Sequence, residues 1–169
     1  MNVSPRALLR FLENSRLTLA LAESCTGGLV SAQLTAQPGA SRVLWGSWVT
    51  YSNDAKHRCL EVPQSSLELY GAVSREVALA MAEGALRLSG ASLALSITGV
   101  AGPGPSEGVP EGTVWMGVAG PWPSEAVRLQ IKGQREQIQR RSAEIARLVL
   151  LRWWQQEGRL DSVGLDGDN

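Results

Sequence analysis

The sequence predicts a three-layer α/β/α sandwich around a mixed, mostly parallel central sheet, and three observations carry that expectation. Short apolar runs alternate with stretches of helical periodicity, which is how strand and helix units wind a parallel sheet. Two late strand-like runs, Thr113 to Ala119 and Ala126 to Ile131, are joined by a turn holding Pro121 and Pro123, so an antiparallel pair joins that sheet. The chain has 169 residues, 44% apolar and 19% charged, enough for one domain with a substantial core. That domain is expected over 1–157, with 158–169 as a flexible tail.

Ser4 before Pro5 signals a helix start, and Leu8, Leu9, Phe11 and Leu12 give the helix an apolar stripe that ends near Asn14. Leu17 to Ala22 reads as a buried strand. It runs into Glu23-Ser24-Cys25-Thr26-Gly27-Gly28, after which Leu29 to Ala36 is helical until Pro38-Gly39. Val43 to Thr50, rich in Val, Trp and Thr, is a second strand, and a short helix carrying Lys56 follows. Ser74 caps a long helix with Val77, Met81, Ala85 and Leu88 at helical spacing. Leu93 to Thr98 is another buried strand, feeding a Gly/Pro-rich loop from Gly99 to Gly112. Arg135 to about Gln155 is the longest helix, with Ile138, Ile145, Leu148 and Leu151 on one face.

Lys plus Arg and Asp plus Glu each total 16, so no net charge drives binding along a phosphate backbone, and nucleic acid is not expected as the primary ligand. No apolar run is long enough to span a bilayer, and Asn2, Ser4 and Arg6 follow Met1 where a signal peptide would place apolar residues. A cytoplasmic protein without membrane association is expected. Two cysteines, Cys25 and Cys59, and the single histidine His57 cannot fill a zinc site, so no metal is expected.

Ligands of open α/β sheets collect at the carboxyl ends of strands, and two unusual segments fall there: Ser24 to Gly28 and Gly99 to Pro105. A serine between a strand and a glycine-started helix can present its hydroxyl beside outward-pointing amides, as an acyl-transfer site requires. Ser24 and Thr26 can equally be capping residues, with Gly27-Gly28 a turn. A serine nucleophile needs a base. Lysine can serve, but its pKa must fall from roughly 10.4 to near 7, a cost of around 4 kcal/mol that burial or a cationic neighbour must supply. Lys56, after an apolar strand, can be such a lysine or simply a solvated one.

Four ordered motifs together resemble the CinA C-terminal-domain family, which contains the nicotinamide-nucleotide amidases. They are Ala22-Glu23-Ser24-Cys25-Thr26-Gly27-Gly28, then Tyr51-Ser52-Asn53 with Lys56, then Gly71-Ala72-Val73-Ser74, and Ile97-Thr98-Gly99-Val100-Ala101-Gly102-Pro103. The resemblance covers about residues 5 to 152 and implies the same sandwich fold. It implies Ser24 as nucleophile, Lys56 as general base and Tyr51 as the tyrosine that assists them. It also includes the Gly133-x-Arg135-Glu136 start of the last helix. Two departures bear on substrate preference. The loop reads Gly102-Pro103-Gly104-Pro105-Ser106 where the family usually has more consecutive glycines, and Pro110-Glu111 precedes Gly112-Thr113. The family's amidase half often follows a separate N-terminal domain, so a stand-alone version is expected.

The implied reaction converts nicotinamide mononucleotide to nicotinate mononucleotide and ammonia, a step in pyridine-nucleotide salvage, with no cofactor. Backbone amides of the Ser24 to Gly28 turn are expected to hold the oxyanion. The phosphate is expected on the amides of the Gly99 to Gly104 loop, the helix start after Gly27, and Arg135. The expected substrate-binding residues are thus Thr26, Gly27, Gly28, Thr98, Gly99, Ala101, Gly102 and Arg135. Cys25 is read as a small buried residue rather than a rival nucleophile, and His57 as an exposed helix residue. Trp45, Trp48 and Trp115 are read as core. Trp153-Trp154 marks either a subunit contact or packing within the chain, and a homo-oligomer, with a dimer favoured, is expected. The alternative function is a non-catalytic nucleotide-binding or protein-interaction module associated with competence or damage responses.

Overall fold

The computed structural model describes residues 3–156, so the end of the expected domain and the tail at 158–169 lie outside the described residues. The described chain forms a five-stranded sheet between two helical layers. In chain order the elements are α1 (Pro5–Asn14), β1 (Leu19–Glu23), α2 (Leu29–Thr35), β2 (Leu44–Val49), α3 (Asn53–Leu60), α4 (Gln64–Tyr70), α5 (Arg75–Ser89), β3 (Leu93–Gly99), β4 (Thr113–Ala119), β5 (Glu125–Gln130) and α6 (Arg135–Gln156). The strand order is β2-β1-β3-β4-β5. β2, β1 and β3 run parallel, and β4 and β5 are added antiparallel. The sheet is therefore mixed, as the alternating pattern and the late strand pair predict.

Burial follows strand position. The central strands β1 and β3 are covered on both faces, which is why Leu19–Ala22 and Leu93–Ser96 read as unbroken runs of leucine and small residues. The edge strands β2 and β5 are half-exposed. One core, between the sheet and α1, α2 and α6, gathers Leu8, Leu12, Leu34, Leu95 and Ile138. The other lies under α3, α4 and α5 and is built from Leu60, Val77, Met81 and small alanines. Here the approach is so close that a side-chain carbon on Gly117 would sit 2.5 Å from Ala78 O, and one on Gly84 would sit 2.0 Å from Leu60 O. Ser96 Oγ donates to Ala78 O at 2.6 Å and accepts from the Gly117 amide, so this buried hydroxyl is satisfied within the tight contact.

Several elements differ from the sequence reading. β1 extends to Glu23, because that residue still pairs with Val49 of β2 and Ile97 of β3 while its side chain is fully buried. A helix not foreseen, α4, follows α3. Leu88 is 41% exposed on the last turn of α5, past the buried stretch of the helix that ends at Ala85. On α6 the deepest face is Ile138, Ala143, Ala146, Arg147, Leu150 and Trp153, while Ile145, Leu148 and Leu151 are only partly buried. Helix α6 lies against α2 and the sheet together, so small residues take the closest approach.

Trp45 corrects the core assignment. It is 52% exposed and stacks on half-buried Trp48, centroids 4.8 Å apart, since β2 is an edge strand with a bulge beside Gly46. Trp48 does pack against the α5-side core, and Trp115 is half-buried. Trp153 is buried and meets Trp122, while Trp154 meets Phe11 and Trp122 edge to face, so this pair packs within the chain. No helix among the described residues is long and apolar enough to cross a membrane.

Candidate active site

The chain leaves β1 toward one edge of the sheet and leaves β3 toward the other, so a crevice opens between the carboxyl ends of these two neighbours. Both unusual segments end there. They border a cleft of about 600 Å³ lined by Ser24, Cys25, Tyr51, Lys56, Thr98, the loop from Gly99 to Glu107, and Arg135, with Ser52, Asn53, Ala72 and Val73 at its sides.

The nucleophile's turn is built by a carboxylate that the sequence reading did not single out. Glu23 is fully buried and accepts from Thr26 Oγ1 at 2.7 Å, Val30 N at 3.0 Å, Ser31 N at 2.9 Å and, more weakly, Ser47 Oγ at 3.4 Å. It thereby caps the start of α2 from inside, answering both the orphan amides and the positive end of the helix dipole. Gly27 and Gly28 take positive φ, 62° and 96°, which lets the chain turn from strand to helix within these few residues. The signal was present in the sequence as a charged residue closing an apolar strand.

Part of the expected substrate site lies away from the cleft lining. Thr26, Gly27 and Gly28 do not line the cleft, and the helix start after Gly27 already holds the Glu23 carboxylate, so it is not open to a ligand's phosphate. The oxyanion donors are narrowed likewise. The Ser24 amide donates to Ile97 O at 2.9 Å and the Gly27 amide to Ser24 O at 3.0 Å, leaving those of Cys25, Thr26 and Gly28 without an acceptor elsewhere in the described chain. Gln139 of α6 donates to Cys25 O and fixes that peptide.

Ser24 and Lys56, distant in sequence, meet. Ser52 Oγ accepts the Ala55 amide at 3.1 Å to cap α3, and the first turn then carries Lys56 inward, where it is 2% exposed. Its Nζ lies 2.9 Å from Ser24 Oγ and 3.0 Å from Thr50 O. Thr50 is in turn tied to β1 by its amide, which donates to Glu23 O. Burial holds the Lys56 pKa below its ordinary value, an effect that the Glu107 carboxylate partly opposes. No carboxylate forms an ion pair with Lys56 among the described residues. A neutral amine suits this geometry: one N–H donates to Thr50 O, and the lone pair accepts the Ser24 hydroxyl.

Cys25 is buried, and burial pushes its thiol up to about 12 despite the opposing pull of its own backbone amide, Lys56 and Arg135. It is therefore uncharged in the working range and no rival nucleophile. His57 is exposed on α3, as read from the sequence, with Nδ1 2.9 Å from Val62 O.

Tyr51 lines the cleft but is 59% exposed, and its hydroxyl accepts from Arg135 Nη2 at 2.5 Å rather than contacting Ser24 or Lys56. Arg135 Nη1 donates to Gly102 O, so one guanidinium joins the tyrosine to the loop. Thr98 is buried with its hydroxyl donating to Ala72 O at 2.8 Å. Gly99 must lack a side chain, since a carbon there would meet Thr113 O at 2.8 Å and Cys25 Sγ at 3.1 Å. Ala101 is buried, and Gly102, at φ 83°, leaves room for the Glu111 carboxylate, which accepts from the Gly104 amide at 2.6 Å. Glu111, one of the two departures in the loop, is thus what holds the loop in shape.

Known proteins agree with this architecture. The family model described as the CinA C-terminal domain matches residues 3–153. The chain is 49% identical to a CinA-like protein of Geobacter metallireducens over 130 residues, 76% of this chain and 32% of that one. It is 52% identical over 107 residues to a putative competence-damage inducible protein of Desulforamulus reducens, 63% of this chain and 26% of that one. The chain thus spans about a third or less of the length of these curated relatives. Among solved structures, the competence/damage inducible protein CihA of Agrobacterium tumefaciens superposes with a TM-score of 0.84 at 36% identity, covering 88% of this chain and 92% of that one. The competence damage-inducible protein A (ComA) of Klebsiella pneumoniae gives 0.83 at 32% identity, covering 86% and 94%. On sequence, fold and the motifs that converge on the cleft, the chain belongs to the CinA C-terminal-domain family.

Proposed function

We propose that this chain is an amidohydrolase that deamidates nicotinamide mononucleotide. The observation that carries the reading is the 2.9 Å contact between Ser24 Oγ and a buried lysine amine with no counter-ion. A purely binding module has no use for a desolvated lysine, whose burial costs stability.

Neutral Lys56 accepts the Ser24 proton as Oγ attacks the amide carbon, and Thr50 O holds the resulting ammonium in place. The oxyanion forms beside the Ser24 to Gly28 turn, where the Cys25 amide, directly after the nucleophile, is the donor of choice. Lys56 then returns the proton to the departing nitrogen, which leaves as ammonia, and an ester remains on Ser24. Water attacks that ester with Lys56 again as base, releasing nicotinate mononucleotide. Arg135 and the free amides of the Gly99 to Gly104 loop form the phosphate end of the site, and Tyr51 orients Arg135. The direct test is ammonia release from nicotinamide mononucleotide by the purified chain. No release above the rate of a Ser24→Ala control would refute the reading.

A further inference from the structure

The cleft has walls of opposite charge. Helix α6, whose first residue is Arg135, packs on one face of the sheet, whereas α3, α4 and α5 pack on the other. Glu107 belongs to the second wall. Its Oε2 lies 3.9 Å from the point where a side chain on Gly71, the residue that caps the end of α4, would begin. Three charged residues line the cleft, Lys56, Arg135 and Glu107, and Glu107 is the one acid among them. With Lys56 neutral, the ligand meets a guanidinium on one side and a carboxylate on the other, the carboxylate on the wall that carries the base.

A carboxylate in a phosphate-binding cleft repels its ligand unless the ligand has a cationic part to place there. We propose that Glu107 is a specificity-determining residue that selects ligands whose amide-bearing ring is cationic, that is, N-glycosylated pyridinium nucleotides over their uncharged dihydropyridine forms. This rests on the amidase reading above and adds the charge state of the ring. The scissile amide must sit at Ser24 beside Lys56, so the ring that bears it lies near the carboxylate wall while the phosphate reaches toward Arg135. Glu107 also raises the Lys56 pKa, which places its charge within electrostatic reach of the reacting end.

The experiment compares nicotinamide mononucleotide with its 1,4-dihydro form, which keeps the amide, ribose and phosphate but has an uncharged ring. In the wild-type enzyme and Glu107→Gln, kcat/KM for the mononucleotide and the inhibition constant of the dihydro form are measured on the alkaline plateau, where Lys56 is neutral in both. Glu107→Gln is expected to lose about fivefold in kcat/KM for the cationic substrate, in keeping with a solvent-exposed charge pair, while inhibition by the dihydro form is unchanged. Glu107→Lys should square that loss, to about twenty-five-fold, because it reverses the charge. Equal losses for the two ligands, or none for either, overturn the proposal while leaving the amidase reading standing. No ammonia release by the wild-type enzyme would overturn both.

Discussion

The two glycine-rich segments of the cleft are each organised by one carboxylate, but in opposite ways. In the Ser24 to Gly28 turn, Glu23 is buried and takes the Val30 and Ser31 amides of α2 from inside, so those donors are not offered to a ligand. In the Gly99 to Gly112 loop, Glu111 binds the Gly104 amide and lies against Gly102. The lesson is that glycine richness at a strand end does not by itself mean anion binding. What decides is whether the protein already supplies the anion.

The largest effects are expected at the turn. Ser24→Ala and Lys56→Arg should each lower kcat by about 10⁴-fold, and the double variant should be hardly worse, because the two residues act as one unit. Lys56→Arg is the sharper test: a guanidinium keeps the charge but accepts no proton, so near wild-type ammonia release by the folded variant would remove Lys56 as base. Next in size is Glu23→Ala, which orphans buried donors and should cost about 3 kcal/mol in denaturant unfolding. A loss below about 1 kcal/mol would mean that the turn does not depend on its internal anion.

Lys56→Met should raise stability by about 1 kcal/mol near neutral pH, as removal of an active-site strain often does. The sign follows from the lowered pKa. Between the folded value and the ordinary lysine value the unfolded chain binds more protons, so wild-type stability rises with pH across that window. The advantage of methionine should therefore be greatest at low pH and fade toward the ordinary lysine range, and a gain independent of pH would contradict it. The smallest effect belongs to the loop. Glu111→Gln keeps an acceptor for Gly104 but loses the charge, and should raise KM by only a fewfold, about 1 kcal/mol, with kcat unchanged. A fall in kcat instead would place Glu111 in the chemistry.

The sheet, its mixed character and the meeting of strand ends were legible because central strands are buried on both faces and read as apolar runs. The pairing of Ser24 with Lys56 was legible only through the ordered motifs, since no local pattern says that a lysine after Tyr51-Ser52-Asn53 will turn inward. An acid closing an apolar strand marked Glu23 as unusual, but its role, like that of Glu111, was not legible. Whether an acid at a strand end faces solvent or caps its own next helix depends on donors brought together by folding. Trp45 shows the same limit from the apolar side, for composition marks a strand but not whether that strand is an edge.

The burial of Cys25 has a practical consequence for watching this site at work. With its thiol pushed up to about 12 and closed off from solvent, Cys25 will not react with a maleimide at neutral pH, whereas Cys59 is exposed and free. Cys59 stands on α3, three residues after Lys56. The unmodified sequence therefore offers one addressable attachment point, on the helix that carries the base, for a dye that reports occupancy of the cleft without any engineered cysteine.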